Sequence, residues 1–82
     1  MQYQLEADKL RAMYLAEAGI SYSIWELKMK KDPDKNGLGN VKKYELGGGY
    51  FHVEHNPKTK EIISTGTYND VSRTIVVVYD SN

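Results

Sequence analysis

Residues 61–79, Glu61-Ile62-Ile63-Ser64-Thr65-Gly66-Thr67-Tyr68-Asn69-Asp70-Val71-Ser72-Arg73-Thr74-Ile75-Val76-Val77-Val78-Tyr79, decide the fold. Two runs rich in β-branched and aromatic residues flank Asn69-Asp70, a pair that tolerates the positive φ of a type I′ turn. The stretch therefore reads as a hairpin, with one strand over Glu61 to Tyr68 and another over Val71 to Tyr79. The second strand is the stronger, because Thr74 to Val78 are all β-branched. In the first, Ile63 is expected to turn inward, with Ile62 as a further candidate beside it.

Upstream, Tyr50 to His55 alternates as a third strand, with Phe51, Val53 and His55 on one face and Tyr50, His52 and Glu54 on the other. Asn56-Pro57-Lys58-Thr59-Lys60 is a turn by composition. Gly47-Gly48-Gly49 reads as a hinge or a close backbone approach, and Val41 to Leu46 reads either as a short strand or as extended loop. A meander with one apolar face needs a cover.

The first third of the chain supplies that cover. From Tyr3 to about Lys30 or Lys31, helix formers dominate. Met13, Ala16, Ile20, Ile24 and Leu27 form one apolar stripe, and Leu10, Tyr14, Ala18 and Trp25 lie on an adjoining one, so the buried arc is expected to be broad along the middle of the helix. Glu6 and Asp8 near the start and Lys28, Lys30 and Lys31 at the end complement the helix dipole. Pro33 is expected to end the pattern. A helix of this length is roughly 40 Å long, so its first turns are expected to project. The fold class is α+β, a single domain over 1–82. A long helix (about 3–31) and a loop (about 32–49) lead into an antiparallel meander (about 50–80) of three strands, or four if Val41 to Leu46 joins.

Composition narrows function by exclusion. Eleven basic and eleven acidic residues cancel, so no overall field draws the chain to nucleic acid. Without cysteine there is no thiolate metal site and no Cys nucleophile. The 82 residues contain no apolar run of about eighteen, so the chain as given has no membrane-spanning helix.

Two segments carry a resemblance. Ala12-Met13-Tyr14-Leu15-Ala16-Glu17-Ala18-Gly19-Ile20-Ser21-Tyr22-Ser23-Ile24 is similar to the YxAEAGxxYAxxxL region of PilX-type minor pilins. In the C-terminal half Gly48-Gly49-Tyr50, leading a strand, is similar to that family as well, and Ser64-Thr65-Gly66-Thr67 followed by Val71-Ser72-Arg73-Thr74-Ile75-Val76-Val77 resembles its STGTxxGVSRTVxV tail. The two matches fall in the family's order and leave the central loop unmatched. Asn69-Asp70 stands where a Gly-containing turn is expected.

The resemblance implies a type IV pilin-like or pseudopilin subunit: a non-enzymatic building block of a pilus or secretion filament in the bacterial envelope. Its membrane-inserting half-helix would lie upstream of Met1. The partners implied are other pilin subunits, reached through the N-terminal helix. Tyr3, Leu5, Leu10 and Tyr14 are the expected packing residues, and Glu17 reads either as a solvated carboxylate or as a charge partner for an adjacent subunit.

Other candidate sites are weaker. Asp32-Pro33-Asp34-Lys35-Asn36-Gly37 matches the opening of an EF-hand loop, and Asp32, Asp34 and Asn36 are its calcium ligands in an alternative reading as a calcium-stabilised binding or adhesive module. The loop's twelfth position, which should be a bidentate Glu, is Lys43. No other cofactor is expected. His52 and His55, three apart in a strand, point to opposite faces and cannot share a metal. Lys28, Lys30, Lys31, Lys42 and Lys43 beside Trp25 and Tyr44 have the outline of a nucleic-acid surface, which net neutrality argues against. Gly19 in a helix interior needs compensation, and the close approach of a strand would supply it.

Overall fold

The structure, a computed structural model, describes residues 3–80, with side chains from residue 6 onward. One helix, α1 (Tyr3–Met29), is followed by strands β1 (Val41–Leu46), β2 (Gly49–Asn56), β3 (Glu61–Tyr68) and β4 (Val71–Val78). The strands form one antiparallel sheet in the order β1-β2-β3-β4, and α1 lies across one face of it. The molecule measures 46 × 24 × 15 Å.

The expected loop over 32–49 is shorter than the sequence suggested. Val41–Leu46 is a strand, and Gly47-Gly48, at φ 58° and 88°, is a tight turn pairing Leu46 with Gly49. The strand was ambiguous because a bulge between Val41 and Tyr44 breaks its alternation. The extra residue lets Val41 and Tyr44, three apart, both face the helix side.

The Asn69-Asp70 turn forms as the residues dictate, with φ of 49° and 64° and Tyr68 paired to Val71. Parity in β3 is opposite to the first expectation. Ile62, Ser64 and Gly66 are buried under the helix while Ile63 turns outward. A one-residue choice flips every side chain of a strand to the other face, and two adjacent isoleucines leave that choice open. β4 is an edge strand despite its composition, with Ile75 and Val77 half-buried and Val76 and Val78 exposed.

The core is Leu15, Val41, Phe51, Val53 and Ile62, with Ile20, Tyr22, Ile24, Tyr68 and Tyr79 packed around it. The helix stops four residues before Pro33. Lys30 takes the left-handed conformation at φ 55°, and the Lys31 N–H donates to the Glu26 carbonyl at 3.2 Å. That bond closes a Schellman turn. Proline therefore follows the stop and does not cause it.

The face of α1 against the sheet is centred on Asp8, Ala12, Leu15, Ala16, Gly19, Ser23 and Glu26, all buried. The stripe Met13, Ile20, Ile24 and Leu27 flanks it, half-buried. Of the adjoining stripe only Ala18 is half-buried, while Leu10, Tyr14 and Trp25 are exposed. The buried arc is thus narrower than expected, because the sheet covers one side of the helix. Small residues occupy the centre because two backbones meet there. A methyl group on Gly66 would overlap the main chain of Ala12 and Ala16, and one on Gly19 would overlap the Ser64 hydroxyl. Close approach is thus what offsets the helix propensity lost at Gly19, about 1 kcal/mol.

Candidate functional site

The helix first meets the sheet at Asp8, whose carboxylate accepts from Asn69 Nδ2 at 3.3 Å, and Arg11 lies over the Tyr68 ring at 5.2 Å. Just ahead, Glu6 and Ala7 are exposed. On the side away from the sheet, Leu10 and Tyr14 are 52% and 57% exposed. Glu17 and Ser21 continue that exposed line, and Trp25 extends it toward the C-terminal end. Spacings of four and three place these residues on one helix face. A shallow depression lined by Arg11, Tyr14, Leu15, Leu46, Gly47 and Tyr68 adjoins this open face.

Three of the five expected packing residues, Leu10, Tyr14 and Glu17, therefore lie together and exposed on one face. The side chains of Tyr3 and Leu5 lie outside the described residues.

The other end of the helix holds a polar cluster that the sequence reading missed. Glu26 is 0% exposed. Its Oε1 accepts the Gly39 N–H at 2.9 Å, and the Ser23 hydroxyl donates to the Gly39 carbonyl at 2.8 Å. Glu26 Oε2 and the Ser64 hydroxyl are buried without a hydrogen-bond partner among the described residues. Burial pushes the Glu26 carboxyl above its ordinary range, the Gly39 N–H opposes this, and the carboxylates of Asp32 and Asp34 add to the rise. Burial, then the charges of Asp34 and Glu26, likewise raise the neighbouring Tyr22 phenol. Glu26 was legible in principle, since Ala12, Ala16, Gly19, Ser23 and Glu26 share one spacing. A glutamate near a helix end reads as solvated unless the small residues are taken as the buried face.

Behind Gly39, His55 donates from Nδ1 to the Leu38 carbonyl at 3.1 Å, and its Nε2 shares a hydrogen bond with the Tyr79 hydroxyl at 2.6 Å. The Asn40 side chain accepts the His55 backbone N–H at 2.9 Å. His52, on the other face, donates from Nδ1 to the Lys42 carbonyl at 2.8 Å. Each histidine is thus engaged with backbone, and the two stand on opposite faces as the strand period requires.

In the 32–40 loop, the Asp32 carboxylate accepts the N–H groups of Asn36 at 3.1 Å and Gly37 at 2.7 Å. These bonds give Asp32 a sufficient role in folding the loop. No group of three or more His, Cys, Asp or Glu able to hold a metal occurs among the described residues.

Of the basic and aromatic residues, Lys43 and Tyr44 fall on opposite faces of the sheet. Lys43 lies over Tyr50 at 4.6 Å on the outer sheet face. Tyr44 stacks on Phe51, at 5.0 Å and 8° between planes, on the helix side. Trp25 joins that aromatic group through Tyr22, at 5.6 Å from Trp25 and 5.0 Å from Tyr44. No helix among the described residues is long and apolar enough to cross a membrane.

Compared with family models, curated proteins and solved structures, the chain matches none.

Proposed function

We propose that this chain is the head and exposed half-helix of a type IV pilin-like or pseudopilin subunit, a non-enzymatic part of an envelope filament or of its initiation complex. The observation that carries the reading is the open helix face. The sheet covers one side of α1 with small residues, and the large apolar side chains Leu10 and Tyr14 stand on the other side. A surface helix ordinarily turns its large apolar residues to the core. Here they are available to a second helix. Covering them would contribute about 1 kcal/mol each, half the value of burying a fully exposed large side chain. Glu17 stands on the same line, placed to meet a charge on a neighbouring subunit.

The reading requires a hydrophobic segment of about twenty residues encoded upstream of Met1. Sequencing the parent reading frame tests that directly, and a stop codon in frame just upstream would remove the filament role. The functional test is Leu10→Glu with Tyr14→Glu in the full parent protein. Loss of filament incorporation with an unchanged head is expected, and normal incorporation would contradict the reading. The calcium-stabilised alternative has less support, since Asp32 already accepts two loop N–H groups.

A further inference from the structure

The two edges of the sheet are built differently. β1 carries a bulge between Val41 and Tyr44, and Lys42, Lys43 and Glu45 put charge along it. Bulges and charges are the devices by which an edge strand avoids pairing with another chain. β4 has neither protection. Its register with β3 is unbroken from Val71 to Val78, it contains no proline, and Arg73 is its one charged residue. Val76 and Val78 are 53% and 68% exposed on its outer side.

The pairing parity shows which groups are free. The two-residue turn makes Tyr68 and Val71 a hydrogen-bonded pair, and at the far end the Tyr79 N–H donates to the Lys60 carbonyl at 2.9 Å. Residues 71, 73, 75, 77 and 79 therefore face β3. Ser72, Thr74, Val76 and Val78 direct their N–H and C=O groups away from the sheet.

We infer that β4 pairs antiparallel with β4 of a second copy of this chain, about a two-fold axis at Ile75. The two sheets become one continuous sheet with both helices on the same face. A second copy is the occupant because the charged, bulged β1 edge is unsuited to head-to-tail pairing with β4, which would give an open polymer. The like-with-like pairing remains.

The Ile75 register also suits the charge. It sets Thr74 against Val76 and Ser72 against Val78 of the second copy, using all four free backbone positions. The two Arg73 residues then stand about 14 Å apart along the strands. A register centred on Arg73 would set like charges directly opposite. This inference is independent of the filament reading, because it uses neither α1 nor anything upstream of it.

The test combines sedimentation across a concentration series with hydrogen exchange on the 82-residue chain. The expected result is a concentration-dependent doubling of mass. The amides of Ser72, Thr74, Val76 and Val78 should slow at least tenfold at high concentration, while the odd-numbered amides, already paired, change little. Val76→Lys puts charge on an exposed side chain. Thr74→Pro removes an outward N–H without touching the β3 ladder. Both variants should stay monomeric with the circular dichroism of the parent. A chain that is monomeric up to about 1 mM would overturn the inference. So would a dimer that survives Val76→Lys, or one lost on Leu10→Glu with the even-numbered amides unprotected.

Discussion

The two long faces of α1 differ in where they place small and large residues. The centre of the face against the sheet carries Asp8, Ala12, Ala16, Gly19, Ser23 and Glu26 with Leu15 as its one large apolar residue, and Ile20, Tyr22, Ile24 and Leu27 pack at its flanks, whereas the open face carries Leu10, Tyr14 and Trp25 among Glu17 and Ser21. The buried face is small because the helix backbone nearly touches Gly66 of β3. The sheet, through Phe51, Val53 and Ile62, brings most of the apolar volume to that interface. The open face has no such constraint and is large. The lesson is that the size of a residue and its burial in the monomer are separate properties.

The strongest way to break this comparison is to make the sheet-facing side large. Gly66→Val should destabilise the fold by at least about 3 kcal/mol, because its side chain meets backbone that cannot rotate away. Urea unfolding followed by circular dichroism would measure it, and a loss below about 1 kcal/mol would mean the helix and sheet can separate cheaply.

The buried carboxyl gives the next effect. The raised value means the folded state holds its proton at pH values where the unfolded chain has released it. The stabilisation from the neutral form is thus full below the ordinary 4.5 and is lost as pH climbs through the raised value. Glu26→Gln keeps an acceptor for the Gly39 N–H without the charge. It should match the parent at pH 4 and exceed it at pH 8, and a constant difference across pH would refute the assignment.

Ser64→Ala should raise stability by about 1 kcal/mol, since it removes a buried hydroxyl without a partner. A loss of stability would mean that the hydroxyl has a partner, such as a bridging water. Leu10→Glu with Tyr14→Glu should have the smallest effect on folding, within about 0.5 kcal/mol, as exposed positions allow. A large loss would place those side chains in the monomer's own core.

Much of the fold was legible because some residues admit few conformations. Asn69-Asp70 can take positive φ at two successive positions, and the hairpin followed from that. The helix span followed from propensity, but its buried face did not. Periodicity analysis weights large apolar residues, and it selected Met13, Ile20 and Ile24, which turn out to flank the contact. The true centre was signalled by small residues, and the matching cue in the sheet, Gly66, carries meaning only once the helix is set against it. Strand β1 was obscured by its bulge, and Ile62 with Ile63 left parity undetermined. Of the candidate site, Leu10 and Tyr14 were legible as apolar residues on a helix too long for the head to cover, whereas Trp25, expected within the buried arc, is exposed. Glu26 was signalled only by its place on the spacing of the small residues, and its burial depends on the 37–40 loop folding over it.

The most direct test uses the absence of cysteine from the chain. Leu10→Cys and Lys58→Cys each place a single thiol, one on the open helix face and one on an exposed turn. Maleimide labelling would be compared in the isolated chain and in the envelope or filament fraction of cells making the full parent protein. The account predicts that both label readily in the isolated chain, and that only the Leu10→Cys thiol becomes protected in the assembled fraction. Equal labelling of the two thiols in that fraction would contradict the claim that the open face of α1 is where this protein meets its neighbours.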